Sequence, residues 1–261
     1  MTITQIAILA SISLILGWLT RKGQRVNLLL IASVLVVFWL QPTLPLRYLD
    51  FFLPTSSIGI AVLTWALTAS PESRRQTETK ISAALVLGVI MLLAATRYLG
   101  LDRAILISRP PAIGQVLLLL SIFTVGTILL IRQKAPASNA LLWAGFALLV
   151  AFLVVLKTPA LSLATSRGWR LFVNQNADLA SAFDIHWLGY SYLAFRLLHT
   201  IRDRQSGRLP DVTLGEYVTY VIFFPAFSAG PIDRIERFIK GLRQPVNPFS
   251  EDITLGAQRL I

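Results

Sequence analysis

Cysteine is missing from the 261 residues of this chain, so no disulfide, thiolate metal site or cysteine nucleophile is open to it. Histidine occurs only as His186 and His199, which argues against a metal site. Charge is scarce too, at 14% of residues, with 13 Asp and Glu against 24 Lys and Arg. A net charge of +11 would suggest nucleic acid in a soluble protein. Here the basic residues sit mostly between apolar runs, where the positive-inside bias and anionic lipid explain them, and no nucleic-acid partner is expected. Few polar segments are long enough for a soluble domain, and internal repeats and low-complexity tracts are lacking.

Apolar sequence takes up the room. With 55% hydrophobic residues and a mean hydropathy of +0.66, the chain reads as an all-α, multi-pass membrane protein. Spans are expected at Ile3 to Leu19, Val26 to Leu40, Phe51 to Leu67, Ile81 to Tyr98, Ile113 to Ile131 and Leu141 to Leu156. Several fall short of the ~20 residues of a perpendicular crossing, so snorkelling ends or local thinning are expected. Arg21, Lys22 and Arg25 follow the first apolar run, the reverse of a secretory signal peptide, so it reads as a retained helix with its N-terminus outside the cytoplasm. The first three loops carry three, one and three Lys or Arg, which supports that orientation, whereas Arg97, Arg103 and Arg109 in the fourth do not. Lys157 reads as a snorkelling anchor, and Trp169, Phe172, Trp187, Tyr190 and Tyr192 as an interfacial aromatic belt.

The organising stretch lies later, at Phe223-Phe224-Pro225-Ala226-Phe227-Ser228-Ala229-Gly230-Pro231-Ile232-Asp233-Arg234. A membrane-buried helix from Tyr217 to Phe224 is stopped by Pro225 and the Gly230-Pro231 pair, which remove donors and favour turns. Irregular backbone at membrane depth is tolerated only where protein buries it or it lines a wet cavity, so the break predicts a lined cavity or a re-entrant turn. Arg234, directly beyond it, is a candidate for either a functional contact or a lipid phosphate. From Ile232 the apolar positions Ile235, Phe238, Ile239 and Leu242 share one arc, and Arg234, Arg237, Lys240 and Arg243 lie opposite. That pattern predicts an interfacial helix starting at Pro231, with its basic side toward lipid phosphates or a charged ligand. Ala226 to Gly230 is not a nucleophile elbow, since the first glycine and the strand context are absent.

Upstream, a helix expected from about His186 to Asp203 places Tyr192, Arg196, His199 and Asp203 on one side. His199 and Asp203, one turn apart, are within reach of a hydrogen bond. The stripe is either the polar wall of a substrate chamber or a helix end with mutually satisfied charges.

Phe223-Phe224-Pro225, Gly230-Pro231-Ile232 and Arg234 resemble the signature of the membrane-bound O-acyltransferase family, in the branch that includes alginate O-acetyltransferase. Leu188-Gly189-Tyr190-Ser191-Tyr192, Phe195, Asp203 and Gly207 are similar to that branch's upstream helix, and Leu156-Lys157 to the end of an earlier span. The resemblance covers about Leu141 to Ile261. It divides the chain into N-terminal membrane helices, 1–140, and the start of a family-like core, 141–261.

What the resemblance implies is transfer of an acyl group, acetyl in this branch, to a hydroxyl of a polysaccharide or lipid. The donor is acyl-CoA or an acyl-carrier thioester, a substrate rather than a bound cofactor. A multi-pass protein of the plasma (inner) membrane is implied, with membrane lipids and other envelope-assembly proteins as partners. The candidate substrate-binding residues are Phe224, Pro225, Gly230, Pro231 and Arg234 from the broken helix, and Tyr192, Arg196, His199 and Asp203 from the polar stripe read by periodicity. The family's catalytic histidine lies C-terminal to the Gly-Pro-Ile block, and neither His186 nor His199 occupies that position. The chain is therefore expected to be the N-terminal portion of an acyltransferase, with no catalytic residue of its own; the alternative is a non-catalytic membrane scaffold.

Overall fold

The computed structural model describes residues 3–19, 25–100, 108–132, 137–227 and 233–244. Among these the chain is helix and connection, with no strand. The helices are α1 (Ile3–Leu19), α2 (Arg25–Leu40), α3 (Leu49–Thr68), α4 (Pro71–Arg75), α5 (Thr77–Leu99), α6 (Ile113–Arg132), α7 (Asn139–Lys157), α8 (Pro159–Phe172), α9 (Tyr190–Gln205), α10 (Leu214–Val221) and α11 (Ile235–Arg243). Single 3-10 turns stand at Ala177–Leu179 and Phe224–Ala226. Helices α3, α5, α6 and α7 are long and apolar enough to cross a membrane, while α1 and α2 are apolar but shorter. Leu118 and Leu129 on α6 and Leu148 on α7 are exposed, as bilayer-facing residues are. The protein is an integral membrane protein with an all-α fold.

One helix stands outside the expected spans, and another starts later than its pattern suggests. The polar stretch after Lys157 is a helix, α8, started by Pro159 in its first turn, where the missing N–H costs nothing. It buries a narrow stripe of Ser162, Ser166 and Arg170. The next helix begins at Tyr190 rather than His186, because Gly189 precedes it in a left-handed conformation, φ 70°. A Cβ at Gly189 would also meet the Phe227 ring at 2.8 Å. Tyr190 itself is buried at 1% exposure and donates to the Leu149 carbonyl at 3.3 Å, so it belongs to the core and not to an aromatic belt.

Residues on both sides of residue 140 share one apolar core, and α10 stands at its centre. Every residue from Leu214 to Val221 is buried, against α2, α3, α5, α9 and α11. Close approach is possible because residue 215 is glycine: a Cβ there would collide with the Ser82 hydroxyl on α5 and press Val26 on α2. Bonds between connections show which helix ends meet. Trp65 Nε1 donates to the Val212 carbonyl at 3.1 Å and Arg74 to the Leu130 carbonyl at 3.4 Å. These join the end bearing Arg74, Arg75, Arg132, Arg204 and Arg208. At the other end Gln41 bonds the His186 carbonyl at 2.8 Å, and Arg97 the Pro110 carbonyl at 2.6 Å.

Candidate functional site

The site is built on the short helix α10 and its interruption. Thr213 caps the helix by accepting from the Glu216 N–H at 3.3 Å, while Glu216 accepts from the Thr213 N–H at 2.9 Å. This reciprocal box fixes the start at Leu214, and Thr213-Leu214-Gly215-Glu216 is its sequence signal. It sets α10 three residues earlier than the apolar run from Tyr217 suggests. The helix then stops after Val221. Gly215 lies against Val26, whereas Phe224 is buried in a cluster with Leu9, Val36 and Leu40. From Val26 to Val36 along α2 is roughly 15 Å. The interruption is therefore about half a hydrocarbon thickness from the helix entry, as a re-entrant segment requires.

Broken helices leave carbonyls without donors. The Val221 carbonyl would be served by the N–H of residue 225, but that residue is proline and has none. Arg196 on α9 takes over. Its Nη1 donates to the carbonyls of Val221 at 2.9 Å and Tyr220 at 3.2 Å, and its Nη2 to Ala226 at 2.9 Å. The Phe224 N–H reaches the Ser33 hydroxyl at 3.4 Å. Arg196 is 3% exposed and also lies 5.8 Å over the Tyr220 ring. Carbonyl dipoles at the helix C-terminus and this ring compensate its charge. Its Nε has no hydrogen-bond partner among the described residues.

Helix α11 is strapped against α10 by both ends. Tyr220 donates its hydroxyl to the Asp233 carbonyl at 2.9 Å, and Phe238 packs against Tyr220 and Phe223 with ring centroids 5.4 and 5.0 Å away. At the far end Arg243 makes two bonds to Glu216, at 2.7 and 2.8 Å, and a third to the Asp211 carbonyl at 2.8 Å. The bonds to Glu216 first, and then the nearby carboxylate charges, raise the Arg243 pKa against the opposing effect of burial. Arg25 adds bonds to the carbonyls of Leu242 and Gln244. The apolar residues Ile235, Ile239 and Leu242 are buried against protein rather than lipid. Arg243 is thus committed to Glu216. The open basic side consists of Arg234, Arg237 and Lys240, all exposed, with Arg237 only loosely paired to Asp233 at 3.8 Å.

Of the sequence-based candidates, Arg196, Phe224 and Pro225 meet at the turn. Phe224 is a buried anchor and Pro225 is exposed. Arg234 stands at the N-cap of α11, so the helix starts at Ile235; Gly230 and Pro231, the expected start, lie outside the described residues. Tyr192 and Asp203 are half-buried and His199 is exposed. No hydrogen bond joins His199 to Asp203 among the described residues; the Asp203 carbonyl instead accepts from the N–H of Arg208 at 2.8 Å. The expected stripe is therefore split, with Arg196 turned into the core and His199 away from it. Glu216 and Tyr220, which tie the turn to α11, were not among the candidates. No group of three or more His, Asp or Glu side chains that could hold a metal occurs among the described residues.

The chain is similar to three proteins named teichoic acid D-alanyltransferase. It is 31% identical over 118 residues to that of Lacticaseibacillus rhamnosus, 44% over 54 residues to that of Streptococcus thermophilus and 31% over 128 residues to that of Bacillus subtilis. These matches take in 45%, 21% and 46% of the chain, and 25%, 13% and 30% of the relatives. The chain thus spans less than a third of the length of the relatives it matches. No family model matches it, and no solved structure does.

Proposed function

We propose that this chain forms a donor-side portion of a plasma-membrane transferase that passes an acyl group from a thioester to a hydroxyl of an envelope polymer. The similarity to teichoic acid D-alanyltransferases carries the reading and favours D-alanyl over acetyl as the group moved. The acceptor oxygen attacks the thioester carbonyl carbon, the carbon–sulfur bond breaks, and the thiolate leaves while a base takes the hydroxyl proton. We assign no base within the described residues, since His199 is exposed and unpaired with Asp203. Arg196 is a positioning residue that holds the turn at Phe224 and Pro225. Arg234, Arg237 and Lys240 are suited to phosphates of coenzyme A or a phosphopantetheine carrier. Their exposure alongside a buried, re-entrant α10 fits a water-lined approach, because such charges are costly against lipid.

Deletion of the gene tests this. Mild base should then release markedly less D-alanine from the cell envelope. A fall in released acetate instead would restore the acetyl assignment, and no change in either would refute the transferase reading.

A further inference from the structure

A second site lies away from the turn. Between α3, α5 and α6 is a cavity of about 260 Å3, a little under the ~300 Å3 of small ligand sites. Ile58, Val86, Ile90, Leu120 and Phe123 form its walls, and Arg74 and Lys80 stand among its lining. We propose that this slot holds one acyl chain of an anionic phospholipid, with the lipid phosphate at Arg74 and Lys80.

Three of the four lining threonines do not speak for a polar ligand, Thr79 donating to the Ser73 carbonyl at 3.0 Å. Thr55 donates to the Phe51 carbonyl at 2.9 Å and Thr127 to the Phe123 carbonyl at 2.7 Å, so each is satisfied within its own helix. That leaves an apolar slot with two cations, both from the basic end of the bundle. Leu87 and Ile128 line the slot and are exposed, so a lateral entry would pass between α5 and α6. A bilayer lipid reaches it laterally, without crossing the protein. Arg74 is buried at 8% exposure in the connection between α3 and α5. Burial, and then the nearby Arg204, lower its pKa, the direction in which an arriving phosphate brings relief. The bound lipid would brace α5 against α3 and α6. The slot's occupancy does not depend on the activity proposed above.

Native mass spectrometry of the purified full chain in detergent tests the assignment. Phosphatidylglycerol, phosphatidylcholine with identical chains, and palmitate are added in turn. Wild type should retain phosphatidylglycerol about fivefold better than phosphatidylcholine, the effect of roughly one well-placed cation. Ala83→Trp and Thr124→Trp, which fill the slot from opposite walls, should each abolish retention while melting as wild type does without added lipid. Arg74→Gln should bring the two phospholipids to near parity. Equal retention of both phospholipids by wild type would overturn the proposal, whether or not the variants fold. Retention that survives both tryptophan variants would do the same, and so would palmitate binding where phosphatidylglycerol does not.

Discussion

Arg196 stands in for the donor that Pro225 lacks: its Nη1 is 2.9 Å from the Val221 carbonyl, the group an ordinary residue at 225 would serve through its own N–H. One buried guanidinium thereby holds both the end of α10 and the turn beyond it. Arg196→Met leaves three carbonyls without that donor, at ~1–3 kcal/mol for each buried group left unmade. It should lower detergent-solubilised stability by about 3 kcal/mol or more in a thermal melt. Arg196→Lys should recover only part of this, since an ammonium does not reproduce the planar fork. A wild-type melt for Arg196→Met would contradict the role.

The Arg243–Glu216 pair fastens α11 to the start of α10. A double-mutant cycle with Arg243→Gln and Glu216→Gln should give a coupling on the order of 1 kcal/mol, reduced from a buried pair because Arg243 is half exposed. Additive single losses would show that the apolar face alone seats the helix.

Asp184 predicts an acid-sensitive element outside the spans. Burial opposes its ionisation, but the Ser166 hydroxyl, the Ser181 N–H and Arg170 outweigh that and hold its carboxyl below the usual range. Its folded pKa is lower than its unfolded one. The stabilisation is therefore present above ~4, the unfolded carboxylate value, and is lost as pH falls through the folded value. Melting temperature against pH should drop more steeply below about pH 4 in wild type than in Asp184→Asn. Parallel curves would exclude the carboxylate as the cause.

Orientation is open to a clean test because the chain has no cysteine. The end bearing Arg74, Arg75, Arg132, Arg204 and Arg208 should face the cytoplasm. In intact cells a membrane-impermeant maleimide should label Asp178→Cys and spare Arg75→Cys, both positions being exposed. The reverse pattern would invert the topology.

The long apolar runs were legible: α1, α2, α3, α5, α6 and α7 lie within a few residues of their expected spans; the break before Pro225 was legible too, although α10 ends at Val221, three residues short of the expected Phe224. Helix α8 was not, because its buried stripe is Ser162, Ser166 and Arg170, polar residues that a hydrophobic pattern passes over. The stripe on α9 misled for a related reason. A 100° periodicity places Arg196 and His199 on one side but does not say which edge meets α10, and packing turned only Arg196 inward. Long-range satisfaction of a carbonyl by a side chain of another helix leaves no periodic trace.

The central claim is that the turn and the open basic side of α11 form the donor side of an acyl-transfer site. Its most direct measurement is base-labile D-alanine in envelopes of the deletion strain re-supplied with wild type, Arg234→Ala or Arg234→Lys at matched membrane levels. Wild type should restore the ester, Arg234→Lys part of it, and Arg234→Ala less than about a tenth, the loss of one charge-assisted phosphate contact. Full restoration by Arg234→Ala would contradict the account.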